Sequence, residues 1–381
     1  MSDETTPKKM SETLINMLSY IDLDPDNLSL LSDTAELALN DGHPKKAIEL
    51  LEKYTSLSDL PKKECGIMGL AALQSKDFDK SSAIFSKLLE QGYDEPAIRF
   101  NNAWSNAMMK NYDVAMDMLD EKTISSLPQA AMLHLQILHE KGQFDLAEEK
   151  AREYFKNDSD HPGLNAAISV LALDIEDVEL AKSTALKAGN HPDALTTLGT
   201  LALGEDNSDE ALALFNQAMS INSHGPRTWI GKGLAHLSKG ENDEALKNID
   251  QGAEMFGTHI GSWIAAGWAH FIKNDIEGAR ERFERALAID PNFSESHGSL
   301  AVIDVIQGNL TEARRSTKTA LKLDKECFSA TLAQVLMLSS NGNQEKAQLI
   351  FDKAIHTPID DSGRTIARSM SRMGLSQNLL H

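Results

Sequence analysis

Short apolar segments alternate with short polar turns along nearly the whole chain. Within each segment the apolar residues recur every three or four positions, a period that predicts α-helices rather than strands. The turns are rich in Gly, Asn and Asp, which tolerate the left-handed conformation in which helices end. Five segments open on proline, at Pro96, Pro128, Pro162, Pro192 and Pro226, where the missing N–H breaks no helical hydrogen bond. The pattern predicts an all-α chain of consecutive helix–turn–helix units.

These units repeat at a fixed interval. Ala279 lies 34 residues after Ala245 and 34 residues before Ala313. A second column of small residues follows seven positions later, and a mostly bulky column lies between the two. We interpret the small residues as points of close helix approach, where a bulky neighbour fills the adjacent space. The predicted packing residues are Ala211, Phe215, Gly233, Ala245, Gly267, Ala279, Phe283, Ala286, Ala313 and Ala347.

The same register continues toward the N-terminus with lower fidelity. The step from Ala181 to Ala211 is only 30 residues, so we expect a kink or a shortened helix there. Ten repeats are predicted, starting near residues 28, 62, 96, 128, 162, 192, 226, 260, 294 and 328.

Two terminal segments flank the predicted array of residues 28–361. Residues 1–27 are predicted to hold a tail and a capping helix over 8–21, and residues 362–381 a C-terminal capping helix and tail. A stack of repeats needs polar caps because each repeat contacts only its neighbours. The C-terminal segment spaces Arg364, Arg368 and Arg372 by four residues. This basic stripe is either a solvated capping face or a contact for an acidic partner.

The spacing and the residue types resemble those of tetratricopeptide repeats (TPRs). The family pattern is matched best in the repeat from 260, by Trp263, Gly267, Ala279, Phe283, Ala286 and Pro291. The resemblance covers about 330 of the 381 residues. It implies an α-solenoid of about ten repeats that forms a right-handed superhelix, with the first helix of each repeat lining a concave groove.

The positions that line this groove in the family are unusually apolar here, above all between residues 226 and 336. A contiguous exposed apolar surface usually marks an interaction site, and large aromatic side chains are its usual anchors. The predicted groove residues are Phe100, Trp104, Ile230, Leu234, Ile264, Trp268, Phe271 and Val302. The alternative is that these side chains pack between helices. If they face the groove, a helical or extended apolar segment is the natural ligand.

The charge of the chain bears on its partners. The formal net charge of -20 disfavours sequence-independent binding to nucleic acid. Residues 1–300 carry a net of -22, whereas residues 301–381 carry 10 basic and 8 acidic side chains, a net of +2. The C-terminal part is therefore the less repulsive place for an acidic partner.

Residue constellations typical of catalysis are missing from the sequence. It contains no HExxH, CxxC or GxSxG motif, and the spacing from Gly225 to Gly231 is too long for a phosphate loop. Cys65 and Cys327 are too few for a disulfide framework. Neither a secretory leader nor an apolar run long enough to span a membrane is apparent. We therefore expect a cytoplasmic protein without enzymatic activity, cofactor or bound metal.

These observations favour a scaffold or adaptor that binds a protein or peptide, with no nucleic acid and no membrane insertion. Two other roles stay open. One is a chaperone that shields apolar segments of secreted or assembling proteins. The other is a self-associating structural protein that forms homo-oligomers.

Overall fold

The computed structural model describes residues 9–157 and 160–356. Throughout that part of the chain the secondary structure is helical, with 22 α-helices and no strand. Twenty of the helices form ten consecutive pairs, which confirms the predicted all-α fold of about ten helix–turn–helix repeats. The chain divides into two compact units, residues 1–180 and 181–381.

Unit 1 begins with α1 (Glu12–Leu23), which packs against α2. The pairs that follow are α2 (Leu28–Asn40) with α3 (Pro44–Leu57), α4 (Lys62–Gln74) with α5 (Phe78–Glu90), and α6 (Pro96–Met108) with α7 (Tyr112–Met118). A short α8 (Glu121–Ser126) precedes the pair of α9 (Pro128–Glu140) and α10 (Phe144–Asn157). The next helix is α11 (Pro162–Asp174), and α12 (Val178–Ala188) contains the boundary between the units.

Unit 2 continues with four regular pairs and a fifth that ends the described chain. They are α13 (Pro192–Gly204) with α14 (Ser208–Ile221), α15 (Pro226–Ser238) with α16 (Asn242–Phe256), α17 (Ile260–Ile272) with α18 (Ile276–Ile289), α19 (Ser294–Ile306) with α20 (Leu310–Leu323), and α21 (Phe328–Ser340) with α22 (Gln344–His356). None of the helices in the described ranges is both long and apolar enough to cross a membrane.

One residue in every turn between paired helices adopts positive φ. Five of these residues are glycines and five are not, although all ten occupy the same position of the repeat. They are Gly42, Lys76, Lys110, Gly142, Glu176, Asp206, Gly240, Asn274, Gly308 and Gly342. The helix pair is therefore set by a common left-handed turn, and glycine is the residue that adopts it without steric cost.

The helices of one pair approach closely where a small residue faces a bulky one. A Cβ atom on Gly267 of α17 would lie 2.5 Å from Cδ1 and 2.8 Å from Cζ of Phe283 on α18. Gly233 of α15 faces Ile249 of α16 in the same way. All ten predicted packing residues are buried in the structure. The small column therefore leaves the space that the bulky side chain of the second helix occupies.

The two irregular repeat lengths have different structural outcomes. The 30-residue step after Ala181 coincides with the shortened α12, which has only 11 residues. In the third repeat the second helix stops after seven residues, and the chain makes a turn at Leu119 and Asp120. The Asp120 carboxylate accepts a hydrogen bond of 2.7 Å from the backbone N–H of Thr123 and so starts α8. This extra helix is not evident from the repeat pattern.

The predicted terminal caps differ in what the structure describes. The expected N-terminal segment contains α1, whose Leu14 and Ile21 are buried against the first repeat. Residues 362–378, with Arg364, Arg368 and Arg372, lie outside the described residues.

Candidate protein-binding surface

Within unit 2, the first helices of neighbouring repeats touch one another. Direct contacts join α13 to α15, α17 to α19, and α19 to α21. The second helices lie against both flanking first helices, as α16 does against α15 and α17. The first helices therefore form one layer, and the side chains on its outer side are the candidates for partner binding.

That layer carries a row of incompletely buried apolar side chains. Leu234 on α15 is 39% exposed. The other members, on α17, α19 and α21, are half-buried and contact one another. We define the apolar face by Leu234, Trp268, Phe271, Val305, Leu332 and Leu336. Of the predicted groove residues, Leu234, Trp268 and Phe271 belong to it.

The aromatic pair of the apolar face is held from behind. The ring centroids of Trp268 and Phe271 lie 5.3 Å apart in an edge-to-face arrangement. Trp268 makes a second edge-to-face contact, at 5.4 Å, with the fully buried Phe283 of α18. Such pairs add about 0.5–1.5 kcal/mol beyond the burial of their surface. The packing that joins α17 to α18 therefore also orients the exposed part of Trp268.

Three of the predicted groove residues lie deeper than expected. Ile230 and Ile264 are half-buried and pack into the core formed with Ile249. Val302 is 0% exposed, so the prediction that it contacts a partner is wrong for this structure. It is enclosed by Ala333 and the half-buried apolar side chains around it.

Val302 is buried because α19 and α21 come unusually close together. A Cβ atom on Gly298 would lie 2.6 Å from the backbone nitrogen of Ala330 and 2.9 Å from Sγ of Cys327. Only glycine permits this approach, since a side chain would overlap the neighbouring backbone. One helical turn later, the same approach covers Val302 with α21. Val305, Leu332 and Leu336 remain at the surface instead, although none was among the eight predicted residues.

The start of α21 is fixed by a carboxylate from α19. The Glu295 carboxylate accepts a hydrogen bond of 2.9 Å from the backbone N–H of Phe328 and another from the hydroxyl of Ser329. A negative charge at a helix N-terminus satisfies free N–H groups and opposes the helix dipole. Burial, and then the charge of Glu295, raise the pKa of the Cys327 thiol to about 12. This thiol is therefore a packing group rather than a nucleophile.

A charged network holds the helices behind the aromatic pair. The buried ring of His270 on α17 contacts the Asp275 carboxylate at 2.7 Å and the Asp250 carboxylate at 3.0 Å. Arg282 on α18 donates to Asp250 at 3.0 Å. The backbone N–H of Gly278 and, after it, the His270 side chain hold the pKa of Asp275 below its usual value. These contacts tie α16, α17 and α18 together and restrain the helix that carries Trp268 and Phe271.

The second predicted anchor, Phe100 and Trp104, lies in unit 1. Their ring centroids are 5.8 Å apart in an edge-to-face arrangement on α6. Both rings are half-buried and pack in a cluster that includes Tyr112 of α7 and Ile124 of α8. The extra helix therefore helps to cover this pair, so it presents less surface than a regular repeat would leave.

The search for chemical sites gives a limited result. Across residues 9–157 and 160–356, no three His, Cys, Asp or Glu side chains are grouped in a way that would hold a metal ion. The buried His134 of α9 contacts the hydroxyl of Tyr154 at 2.5 Å, and burial lowers the pKa of this histidine to about 4. The contact joins α9 to α10 and has a packing role.

Comparison with known proteins identifies the repeat type. The sequence profile of the tetratricopeptide repeat family matches residues 196–255 and, overlapping them, 230–292. Comparison with curated proteins gave no match. A monomeric mutant of IFIT1 with m7Gppp-AAAA is 10% identical, with a TM-score of 0.54 over 91% of this chain and 96% of its own. A crystal structure of MamA is 16% identical, with a TM-score of 0.35 over 41% of this chain and 91% of its own.

The profile match lies within the most regular part of unit 2, and it includes α15 to α18 with the packing residues Gly267 and Phe283. The similarity to IFIT1 is one of fold, and it extends over most of the chain. The ten helix pairs share the register of the matched segment, including the left-handed residue of each turn. The chain is a member of the tetratricopeptide repeat family.

Proposed function

We propose that this chain is a scaffold or adaptor without enzymatic activity, which binds an apolar helix or extended segment of a partner protein. The tetratricopeptide fold itself suggests a role in protein–protein interaction. The observation that supports this specific site is the apolar face of unit 2. Six apolar side chains on four first helices are left incompletely buried although the helices behind them are tightly packed. Such a surface gains free energy when a partner removes it from water.

The geometry of the apolar face favours an elongated ligand. Its members stand at equivalent positions of neighbouring repeats, so the row runs across the first helices rather than along one of them. The direct contacts between first helices are those expected on the inner side of a curved stack. Trp268 and Phe271 would be the central anchors, because buried aromatic side chains contribute most to the free energy of such interfaces.

The compartment and the partner class follow from charge and thiols. A protein or peptide suits this surface better than nucleic acid, since the chain carries a formal charge of -20. Cys65 and Cys327 are both free thiols, a state common in reducing compartments. We therefore propose a cytoplasmic location.

The test is affinity capture from the lysate of the native cell with three forms of the full chain. Wild type is compared with Leu234→Glu, which places a charge on the apolar face at its most exposed member. The matched control is Leu349→Glu, since Leu349 is 72% exposed on the second helix α22. Circular dichroism first verifies that both variants keep the helix content of wild type.

The proposal expects partners that are lost from Leu234→Glu and retained by Leu349→Glu. One or a few defined partners would indicate a scaffold, whereas many unrelated apolar polypeptides would indicate a chaperone. Recovery of the chain itself, lost in the same variant, would indicate self-association. Identical partner sets from all three forms would refute a role for the apolar face.

A further inference from the structure

The second helix α20 carries a basic stripe that the apolar face does not use. Arg314, Lys318 and Lys322 are four residues apart, so they lie on one side of the helix, and all three are exposed. They line a surface pocket of about 440 Å³ together with Thr317 and Leu321. Gln334 and Met337 of α21 form its other wall. We call this the basic pocket.

The cations of the basic pocket have no acidic partner in the described part of the chain. Elsewhere in unit 2, arginines on second helices pair with carboxylates of neighbouring repeats: Arg282 lies 3.0 Å from Asp250 and Arg285 lies 2.6 Å from Glu254. Within residues 160–356, the recorded ion pairs include none with Arg314, Lys318 or Lys322. The stripe is therefore a concentration of uncompensated positive charge.

The repeat register shows that this charge is reversed relative to neighbouring repeats. The position of Lys318 is occupied by Asp250, Glu284 and Asp352 in the repeats from 226, 260 and 328. In a chain with a formal charge of -20, a lysine at this position changes a repeated acidic site into a basic one. The basic character is a property of this repeat and not of the array.

Thr317 provides an independent indication of a ligand site. It stands at the position of Phe283 and Phe351 in the adjacent repeats, so the residue bordering the pocket is smaller than its counterparts. Thr317 is 3% exposed, and its Oγ1 atom has no hydrogen-bond partner among the described residues. Buried hydroxyls are nearly always hydrogen-bonded, because leaving one unpaired costs free energy. An acceptor that entered the pocket would satisfy this hydroxyl.

We propose that the basic pocket binds an acidic, leucine-containing segment of a partner protein. Residues four apart on a helix rise about 6 Å, close to the spacing of about 6.6 Å between alternate side chains of an extended segment. Carboxylates on such a segment would face Arg314, Lys318 and Lys322, and Leu321 with Met337 would receive an apolar side chain. The lining contains no aromatic ring on which a nucleobase could stack. This favours a peptide over single-stranded nucleic acid.

The experiment measures fluorescence anisotropy of a labelled peptide, EELEELEE, with the full chain. Wild type is expected to bind it and to bind the uncharged peptide QQLQQLQQ at least about tenfold more weakly. Lys318→Glu should weaken binding about tenfold or more, and Lys318→Arg should retain it. Thr317→Val should weaken binding severalfold, because it removes the hydroxyl and keeps the shape.

The matched control is Lys247→Glu, which makes the same charge change at an exposed lysine of α16. It should leave the affinity within about twofold of wild type, since it lies outside the pocket. Leu234→Glu should also leave it unchanged, which separates this site from the apolar face. Raising the salt from about 50 to about 200 mM should weaken the wild-type complex.

Three results would overturn the proposal. The first is the absence of binding between wild type and EELEELEE. The second is equal loss of affinity in Lys247→Glu and Lys318→Glu, which would indicate a dependence on net charge alone. The third is tighter, Lys318-dependent binding of an eight-nucleotide oligouridylate, which would assign the pocket to nucleic acid.

Discussion

Gly267 and Phe283 provide a direct test of how the paired helices pack. Replacing Gly267 by alanine adds one methyl group at the seam between α17 and α18. That Cβ atom would lie 2.5 Å and 2.8 Å from two ring atoms of Phe283, whereas ordinary contact begins at 3.4 Å. The ring would have to move by about 1 Å. It has little freedom to do so, because Phe283 is fully buried and its ring packs against Trp268.

The magnitudes follow from two opposing effects. Overpacking of this kind costs about 1–3 kcal/mol. Alanine returns about 1 kcal/mol through its higher helix propensity, so the net loss for Gly267→Ala is up to about 2 kcal/mol. Phe283→Ala leaves a cavity and costs about 3–5 kcal/mol. In the double variant the methyl group no longer meets the ring, so the double should cost less than the sum by about 1–3 kcal/mol.

The assay is equilibrium urea unfolding of the four proteins, followed by far-UV circular dichroism. Gly66→Ala is the control for propensity, since no atom lies within 4 Å of a Cβ at that position of α4. It should stabilise the chain by about 0.5–1 kcal/mol. Costs of Gly267→Ala and Phe283→Ala that add within about 0.5 kcal/mol would refute the packing argument.

Other predictions concern the turns, one histidine and the thiols. Lys76 has φ of 61°, so Lys76→Gly should raise the urea midpoint by removing a strain of about 1 kcal/mol, and Lys76→Ala should not. Burial lowers the pKa of His134 to about 4, so the unfolded chain takes up the proton first as the pH falls. The stability it provides is present above about pH 6.5 and is lost toward pH 4; His134→Gln should flatten the pH dependence of the urea midpoint in this interval. Ellman's reagent should modify the half-buried Cys65 in the native protein, whereas the buried Cys327 should react only after unfolding.

The repeat architecture is readable from sequence because it depends on local chemistry. Helix starts at Pro96 and Pro226, and small residues such as Gly267 facing Phe283, recur at a fixed spacing that a single chain reveals. Each feature acts between a helix and its immediate partner. The predicted number of repeats is therefore confirmed without any knowledge of long-range contacts.

The fine structure of the candidate site depends on contacts that one repeat does not encode. The register places Val302 with Leu234 and Trp268, but Gly298 lets α21 approach α19 and cover it. Its signal was the glycine itself, which stands where neighbouring repeats carry Ile230 and Ile264. The extra α8 depends similarly on the cap at Asp120, within a repeat whose length departs from the common spacing by only two residues.

The basic pocket shows where a break in the pattern is informative. Thr317 interrupts a column of bulky residues, and the sequence alone gives no reason for the exception. The structure shows that it borders a pocket lined by unpaired cations. The uneven charge of the two ends of the chain indicated only that an acidic partner would be least repelled there.

The most direct measurement of the central claim is site-specific photocrosslinking in the native cell. Benzoylphenylalanine is introduced in place of Leu234 on the apolar face or in place of Leu349 on α22, two exposed leucines of unit 2. The account predicts a discrete crosslinked protein from position 234 and none from position 349. Equal crosslinking at both positions, or crosslinking only at position 349, would contradict the assignment of the apolar face as the partner-binding surface.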